Sequence, residues 1–404
     1  MFKSSILQEL DNCGFIKSIS KEEKLDDILL NKQITVYGGF DLTAQSLHVG
    51  NLMQIMLLRK FLKHGHKIIL LLGGATTKIG DPSGKDETRR VLTDEEIELN
   101  KQGIINNFSQ FIDINSDNVI ILNNSDWLCE FSYIDFLKNV GKHFTVNRML
   151  AMESVKQRLE KQNPMNFVEF NYMLMQSYDF AYLNKKYNCI LQVGGSDQWG
   201  NITEGMELCS RMHNLEGFAL TSPLITKSDG TKMGKSLQGA ISLNQEITSA
   251  FDYFQYFRNI SDEDVIKMLK IYTDLESSEI QKLSSYKGKE VNEAKKILAF
   301  EVLKLRDGED IANSILKEAE SIFINNDLPD NQGLTIKCEE GASLLKLMLE
   351  NKIITSMAEG KRLLNFGSIK LNEEKILEVN YQLSLKGNFK LSIGKKKHYK
   401  IIIT

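Results

Sequence analysis

Apolar and polar positions along the first two thirds of this 404-residue chain switch repeatedly between two periods. ITVYGGF (34–40) is a short run of β-forming residues ending in glycines. VGNLMQIMLLRKFLKHG (49–65) then places apolar side chains at Val49, Leu52, Met53, Met56 and Leu57, the stripe of a helix. KIILLLGG (67–74) is continuously apolar, as a strand covered on both faces should be. The succession repeats with a helix over 94–112, a strand over 118–122, a helix over 166–187, a strand over 189–195, a helix within 197–212 and a strand over 218–226. Such alternation predicts an α/β fold, a parallel sheet with helices on both faces. Ligands of such sheets sit beyond the carboxyl ends of the strands. The glycine pairs Gly38-Gly39, Gly73-Gly74 and Gly194-Gly195 are expected there.

From 245 to 324 the pattern is helical with no clear strand. DLPDNQGL (327–334) is turn-rich and reads as a linker. Two short helices (343–350 and 356–365) and strand-like segments (368–371, 389–393 and 399–403) follow. The predicted organisation is an α/β domain over 1–244, a helical domain over 245–326, a linker over 327–341 and a small α+β domain over 342–404.

Composition narrows the function classes. No run of about 18 apolar residues exists, so no membrane span is expected. The N-terminus MFKSSILQELDNCGF reads as a helix rather than a signal peptide. Five scattered cysteines without a CxxC pair point to a reduced cytoplasm and to no structural zinc, and six scattered histidines make a metal cluster unexpected. The net charge of −3 is unevenly spread. Residues 337–404 carry 13 Lys+Arg and 7 Asp+Glu, hence +6, and the remainder is −9. A basic module on an acidic body suits contact with phosphates.

Two polar segments carry the chemistry. DLTAQSLHVGN (41–51) puts Asp41, Thr43, His48 and Asn51 around the start of a helix, with Gly50 allowing close approach of a ligand. A helix N-terminus offers free N–H groups and a positive dipole end to phosphate. KMGKS (232–236) puts Lys232 and Lys235 on a loop flanked by Gly230 and Gly234, with Ser236 adding a hydroxyl. Taken singly, each is a capped helix or a solvated lysine pair. In this order and at this separation the pair resembles the HIGH and KMSKS signatures of class I aminoacyl-tRNA synthetases. Those enzymes activate a carboxylate with ATP and pass the acyl group to a tRNA. A third group, Tyr172, Gln176 and Asp179, shares one helix face. Asp179 lies in the apolar stretch SYDFAY and needs a partner there, for which a phenolic hydroxyl is suited.

YGGFDLTAQSLHVG (37–50), GGATTKIGDPSGKDETRR (73–90) and QVGGSDQWGN (192–201) together resemble the tyrosyl-tRNA synthetases of bacterial type, over essentially the whole chain. The resemblance implies a Rossmann-like catalytic domain. It implies that Tyr37 lies near the substrate hydroxyl and that Asp179 accepts from that hydroxyl. Asp81, Tyr172 and Gln176 would bind the α-ammonium group, and Gln192 and Gln198 would lie around the substrate, Gln198 near the reacting carboxylate. Gly39, Asp41, His48, Gly50, Gly195, Asp197 and Lys235 would surround ATP, with Asp41, Gly195 and Asp197 at the adenosine. Thr43, His48, Lys232, Lys235 and Ser236 would hold the departing polyphosphate. ATP is implied as a substrate with Mg²⁺, with no protein-bound metal or organic cofactor. The partners implied are L-tyrosine, tRNA(Tyr) and a second copy in a homodimer.

Two departures stand out. Asn51 replaces a histidine common in that family, and the loop reads KMGKS rather than KMSKS. Residues 342–404 resemble an S4-type RNA-binding domain, with Lys361 and Arg362 on its second helix and Lys395, Lys396 and Lys397 in a basic stripe. The same resemblance puts anticodon-stem contacts on 245–324. A tryptophanyl enzyme on the same fold is opposed by the Tyr37/Asp179 pair. A noncatalytic RNA-binding derivative is opposed by the retained His48 and lysines. A nicotinamide enzyme is opposed by the lack of a GxGxxG opening a helix.

Overall fold

The apolar run at 67–73 becomes an interior strand of a sheet, with a neighbour on each side. The computed structural model describes residues 2–83, 92–226, 235–236, 239–325, 335–338, 340–351, 353–354, 356–372, 374–383, 387–394 and 397–403. These divide into two compact units, 1–312 and 313–404.

The first unit contains a six-stranded sheet of β1 (Ser18–Ile19), β2 (Thr35–Asp41), β3 (Lys67–Gly73), β4 (Val119–Asn123), β5 (Cys189–Gly195) and β6 (Phe218–Ser222) in the order β1-β6-β5-β2-β3-β4. Strands β2 to β6 are mutually parallel, as the alternation predicts. The two-residue β1 was not anticipated and pairs antiparallel on the β6 edge. The strand expected over 218–226 stops at Ser222, immediately before Pro223, which has no N–H to give to a ladder. Helices α1 (Val49–Lys63), α2 (Gly74–Ile79), α3 (Asp94–Phe111), α4 (Phe167–Tyr187) and α5 (Trp199–His213) connect the strands. Ile68, Ile69, Leu70, Leu71 and Leu72 of β3 are all buried, so both faces of the sheet are covered.

Strand order reverses between β2 and β5. The chain runs from β2 to β3 and β4 on one side, then returns to β5 and β6 on the other. A crevice at the carboxyl ends of such a pair is the place for a ligand. Tyr37 of β2 sits opposite Gln192 of β5 in the register, and Asp41 sits opposite Gly73 of β3. A side chain at residue 73 would run into the Asp41 carboxylate and the Thr76 hydroxyl, which accounts for the glycine at that strand end.

The helical region begins with Ala250–Arg258 and continues through Val265–Tyr272, Ser277–Ser284, Val291–Asp307 and Glu309–Asn325. It is continuous with the sheet up to residue 312, because Val265–Tyr272 packs on α1 and Val291–Asp307 on α3. The expected boundary at 244/245 is therefore a change of secondary structure within one compact unit.

In the second unit, strands Glu374–Lys375, Ile369–Leu371, Gly387–Ile393, Lys397–Ile403 and Thr335–Cys338 form a sheet in that order. Helices Leu344–Glu350 and Met357–Asn365 supply Leu344, Leu345, Met348 and Leu364 to a core shared with Ile369, Leu391 and Ile401. Gly367 turns the chain from helix to strand with φ +61°, a conformation that favours glycine. The linker expected over 327–341 is corrected at its end. Thr335–Cys338 is a strand paired in parallel with the last strand, and its four residues are too short a run to show a period. Residues 327–334 lie outside the described residues.

Candidate active site

Asp179 is the centre of the candidate site. It lies in α4, whose N-terminus is fixed by a capping box between Asn166 and Glu169. Its side chain is 2% exposed. One carboxylate oxygen accepts from the Trp127 indole N–H at 2.8 Å, and the other from the Asn124 amide at 2.9 Å. Burial pushes the carboxyl up to about 7, the Asn124 and Trp127 donors oppose that rise, and the charge of Asp41 adds to it.

Tyr37 faces the same region. Its ring lies 5.3 Å from that of Phe180, and its hydroxyl is buried with no hydrogen-bond partner among the described residues. Burial and the nearby Asp179 charge raise the phenol well above its usual range, so it remains a neutral O–H donor. Gln192, 3% exposed, also has a buried side-chain carbonyl oxygen without a partner among the described residues. Two unsatisfied polar atoms at the strand-order reversal are the mark of a site that completes its hydrogen bonds with a ligand.

A second polar layer spreads from Asp41 at the end of β2. Its carboxylate accepts from Tyr172 Oη at 3.1 Å and from Thr76 Oγ1 at 2.9 Å. The Asn124 amide also donates to Thr76 Oγ1 at 3.0 Å, so Asp41 and Asp179 belong to one network. Nearby, Asp81 accepts from Gln198 Nε2 at 2.8 Å and from the Ser83 N–H at 2.9 Å. Gln176 donates to Gln198 at 3.3 Å, and Asn201 donates to Gln176 at 3.0 Å and to Gln198 at 3.2 Å. The structure thus gathers Tyr37, Asp41, Asp81, Tyr172, Gln176, Asp179, Gln192 and Gln198 at the carboxyl end of the sheet.

The helix start beside this layer is built by His48 and Asn51. His48 Nδ1 accepts from the Gly50 N–H at 3.0 Å, and the Asn51 side-chain oxygen accepts from the His48 N–H at 3.1 Å. Asn51 therefore has a defined local task, capping α1. Gly39 and Thr43 are exposed, Gly195 ends β5, and Asp197 is exposed in the turn Ser196–Gln198.

The two signature segments meet through the backbone. Val49 N–H donates to Ile241 O at 3.0 Å and Leu243 N–H to Leu47 O at 2.9 Å. Ser242 Oγ donates to Ser46 Oγ at 2.7 Å. Residues 241–243 follow a two-residue hairpin in which Lys235–Ser236 pairs with Gly239–Ala240. The lysine loop is thus anchored at its carboxyl end to the strip of chain that carries His48. Lys232, Gly230 and Gly234 lie outside the described residues, and Lys235 and Ser236 are described in their backbone.

Sequence reasoning missed Asn124, Trp127, Thr76 and Asn201. Asn124 and Trp127 follow the end of β4, where the rule of strand ends applies as it does to β2 and β5. Asn201 lies in the quoted segment QVGGSDQWGN. In the second unit, Lys361 and Arg362 are exposed on Met357–Asn365; Lys395 and Lys396 lie outside the described residues, and Lys397 is described in its backbone.

The chain matches the family described as tRNA synthetases class I (W and Y) over residues 29–324. It is 45% identical to a tyrosine–tRNA ligase of Ehrlichia canis, with 99% of this chain and 98% of the relative covered. It is also 45% identical to one from a Wolbachia of Brugia malayi, covering 100% and 99%. Among solved structures it resembles a C-terminally truncated mitochondrial tyrosyl-tRNA synthetase of Aspergillus nidulans, with a TM-score of 0.71 and 27% identity over 80% of this chain and 94% of that one. With matches of this extent, and with an Asp179-centred site at the strand-order reversal, the chain belongs to the class I tRNA synthetases of the tryptophan and tyrosine type, among the tyrosine–tRNA ligases.

Proposed function

We propose that Asp179 recognises the phenolic hydroxyl of tyrosine and that the network around it divides the remaining work of activation. The observation that carries this reading is a buried carboxylate whose charge reaches the buried hydroxyl of Tyr37, which lacks a partner among the described residues. The substrate hydroxyl donates to Asp179 and accepts from Tyr37. Gln192 meets the substrate from β5. Asp81, Tyr172 and Gln176 hold the α-ammonium group, and Gln198, tied to Asp81 and Gln176, orients the carboxylate.

An oxygen of that carboxylate attacks the α-phosphorus of ATP. The bond from that phosphorus to the bridging oxygen breaks, and pyrophosphate departs with the electron pair. Mg²⁺ enters with ATP as part of the substrate. Gly39, Asp41, Gly195 and Asp197 serve the adenosine, and Gly50 lets the nucleotide approach. Thr43, His48, Lys232, Lys235 and Ser236 stabilise charge on the leaving group, and Asn51 keeps His48 in place from its capping position. A terminal ribose hydroxyl of tRNA then attacks the tyrosyl carbonyl and AMP leaves.

Recognition through Asp179 has a pH signature. The ionised carboxyl is the far stronger acceptor for the hydroxyl, and burial lifts this group to about 7. Donation from tyrosine favours the ionised form, so binding expels a proton below that pH. Tyrosine affinity is therefore full above pH 7 and falls as pH drops, by about tenfold between pH 8 and pH 6. Phenylalanine, with no hydroxyl, should show no such dependence. Equilibrium dialysis of both amino acids across this range makes the comparison, and parallel curves would contradict the assignment.

Residues 342–404 are the RNA-binding module in this reading, with Lys361, Arg362, Lys395, Lys396 and Lys397 meeting phosphates, while the helices of 245–326 meet the anticodon stem. Removing residues 326–404 should leave tyrosine-dependent pyrophosphate exchange within about twofold and abolish most tRNA charging, since the reactants of activation bind in the first unit. Affinity of the full chain for tRNA should fall steeply with salt, and that of the shortened chain less so. Normal charging by the shortened chain would overturn the role of the module.

A homodimer is supported by large apolar side chains left on the surface between 133 and 168. Tyr133, Ile134, Val146 and Phe167 are 60–69% exposed. A cytoplasmic location is supported by five free cysteines, and no helix of the described residues is long and apolar enough to cross a membrane.

A further inference from the structure

The indole that donates to Asp179 is stacked on a residue outside the site. Trp127 belongs to a single helical turn, Ser125–Leu128, whose preceding residue Asn124 makes no side-chain cap. A turn this short does not hold an indole in one orientation by itself. The Trp127 ring instead lies flat on Tyr182, with centroids 4.3 Å apart and planes at 18°. Tyr182 stands three residues after Asp179 in α4, so the same helix carries the acceptor and the platform. It is itself held in place. Lys186 Nζ lies 2.7 Å from its hydroxyl and 5.1 Å from its ring centroid. One turn back on α4, Tyr178 makes edge contacts with Phe131 at 5.2 Å and with Phe136 at 6.3 Å, fastening the rest of this segment to the helix.

The indole is thus constrained twice, by its N–H on Asp179 at 2.8 Å and by its face on Tyr182. Swinging the ring off the Tyr182 platform also swings the N–H off the carboxylate. We propose that Tyr182 is a positioning residue for amino-acid selection, holding Trp127 so that its N–H points at Asp179. The proposal rests on the reading that Asp179 accepts the hydroxyl of tyrosine.

The consequence is selective. A loosened indole leaves Asp179 with one firm donor, so its carboxylate is less fixed and harder to ionise. Only a substrate that bonds to that carboxylate should respond. The titratable groups facing Asp179 are Tyr37 and Asp41 on β2 and Tyr178 on α4, and all three are left unchanged in the test.

The test measures tyrosine- and phenylalanine-dependent pyrophosphate exchange at saturating ATP in the full-length protein, Tyr182→Phe and Tyr182→Leu. Tyr182→Phe keeps the flat ring and should hold kcat/KM for both amino acids within about twofold. Tyr182→Leu should lower kcat/KM for tyrosine about tenfold, the scale of one weakened hydrogen bond to a charged group, and leave phenylalanine within about twofold. The acid limb of its tyrosine profile should move to higher pH, because a donor that favours the ionised carboxyl is lost. Tyr182→Met serves with the same outcomes if the leucine variant lacks a cooperative melt. Equal losses for both amino acids, an unchanged ratio, or a phenylalanine variant that loses discrimination would overturn the proposal. A wild-type protein without preference for tyrosine would instead defeat the reading of Asp179 itself, so the two failures are distinguishable.

Discussion

Asp179→Ala is expected to lower kcat/KM for tyrosine in pyrophosphate exchange by about 10³-fold or more, the scale seen when a site built to bond a hydroxyl loses its partner. The size follows from what is left behind. The Trp127 N–H and the Asn124 amide lose their acceptor, and the buried Tyr37 hydroxyl, which feels the charge of that carboxylate, has no partner among the described residues. A substrate hydroxyl entering that space would meet donors and no strong acceptor, and each unsatisfied buried group costs about 1–3 kcal/mol. Phenylalanine should be far less affected, so the preference for tyrosine narrows through the loss on tyrosine. The alanine variant also loses a buried carboxyl whose ionisation is opposed by burial, so its fold need not be weakened. A thermal melt separates loss of function from loss of structure. Retention of full selectivity by a folded Asp179→Ala protein would remove Asp179 from the site.

The second large effect belongs to Lys235→Ala, which should slow adenylate formation by about 10²–10³-fold, as for removal of one group aimed at developing charge. Tyrosine affinity should stay within about twofold, because the ammonium acts on the departing pyrophosphate rather than on the amino acid. The backbone supports this division. Lys235 is in a hairpin whose exit, residues 241–243, is hydrogen-bonded to residues 47–49, so the loop attaches at the helix start, whereas Asp179 lies on α4. Pre-steady-state fluorescence and rapid-quench measurements separate the two constants. A variant that binds tyrosine weakly yet forms adenylate at the normal rate once saturated would contradict the assignment.

How far the chain could be read from its sequence depended on the range of the interactions involved. β3 and α1 were legible because each residue's burial is set by its own element: a fully covered strand is all apolar, and a half-covered helix shows a stripe. The segment between Ser125 and Glu160 was not. Its short helices leave Tyr133, Ile134, Val146 and Leu150 on the surface, so apolar positions no longer mark an inward face. β1 and the strand Thr335–Cys338 are defined by their partners, Thr221 and Leu220 for one and the last strand for the other, and two to four residues carry no usable period.

The site divides along the same line. Tyr172, Gln176 and Asp179 stand out as candidates because helical spacing puts them on one face, and Asp179 because a carboxylate in an apolar run demands a partner. The partners themselves, Asn124 and Trp127, lie 55 and 52 residues away, and their one signal is their place just after the end of β4. His48 and Asn51 were visible as a helix start, and the structure adds that the Asn51 oxygen caps the His48 N–H. Tyr182 was hidden in the aromatic stretch that surrounds Asp179, where core and platform residues look alike.

The central claim is that a buried carboxylate on α4 selects tyrosine by its hydroxyl. Pyrophosphate exchange into ATP, measured with tyrosine, phenylalanine and tryptophan in turn, tests it most directly. The account predicts exchange with tyrosine and a kcat/KM for phenylalanine lower by about 10⁴-fold or more, as for sites that bond a substrate hydroxyl. Exchange supported equally well by phenylalanine or tryptophan would contradict it.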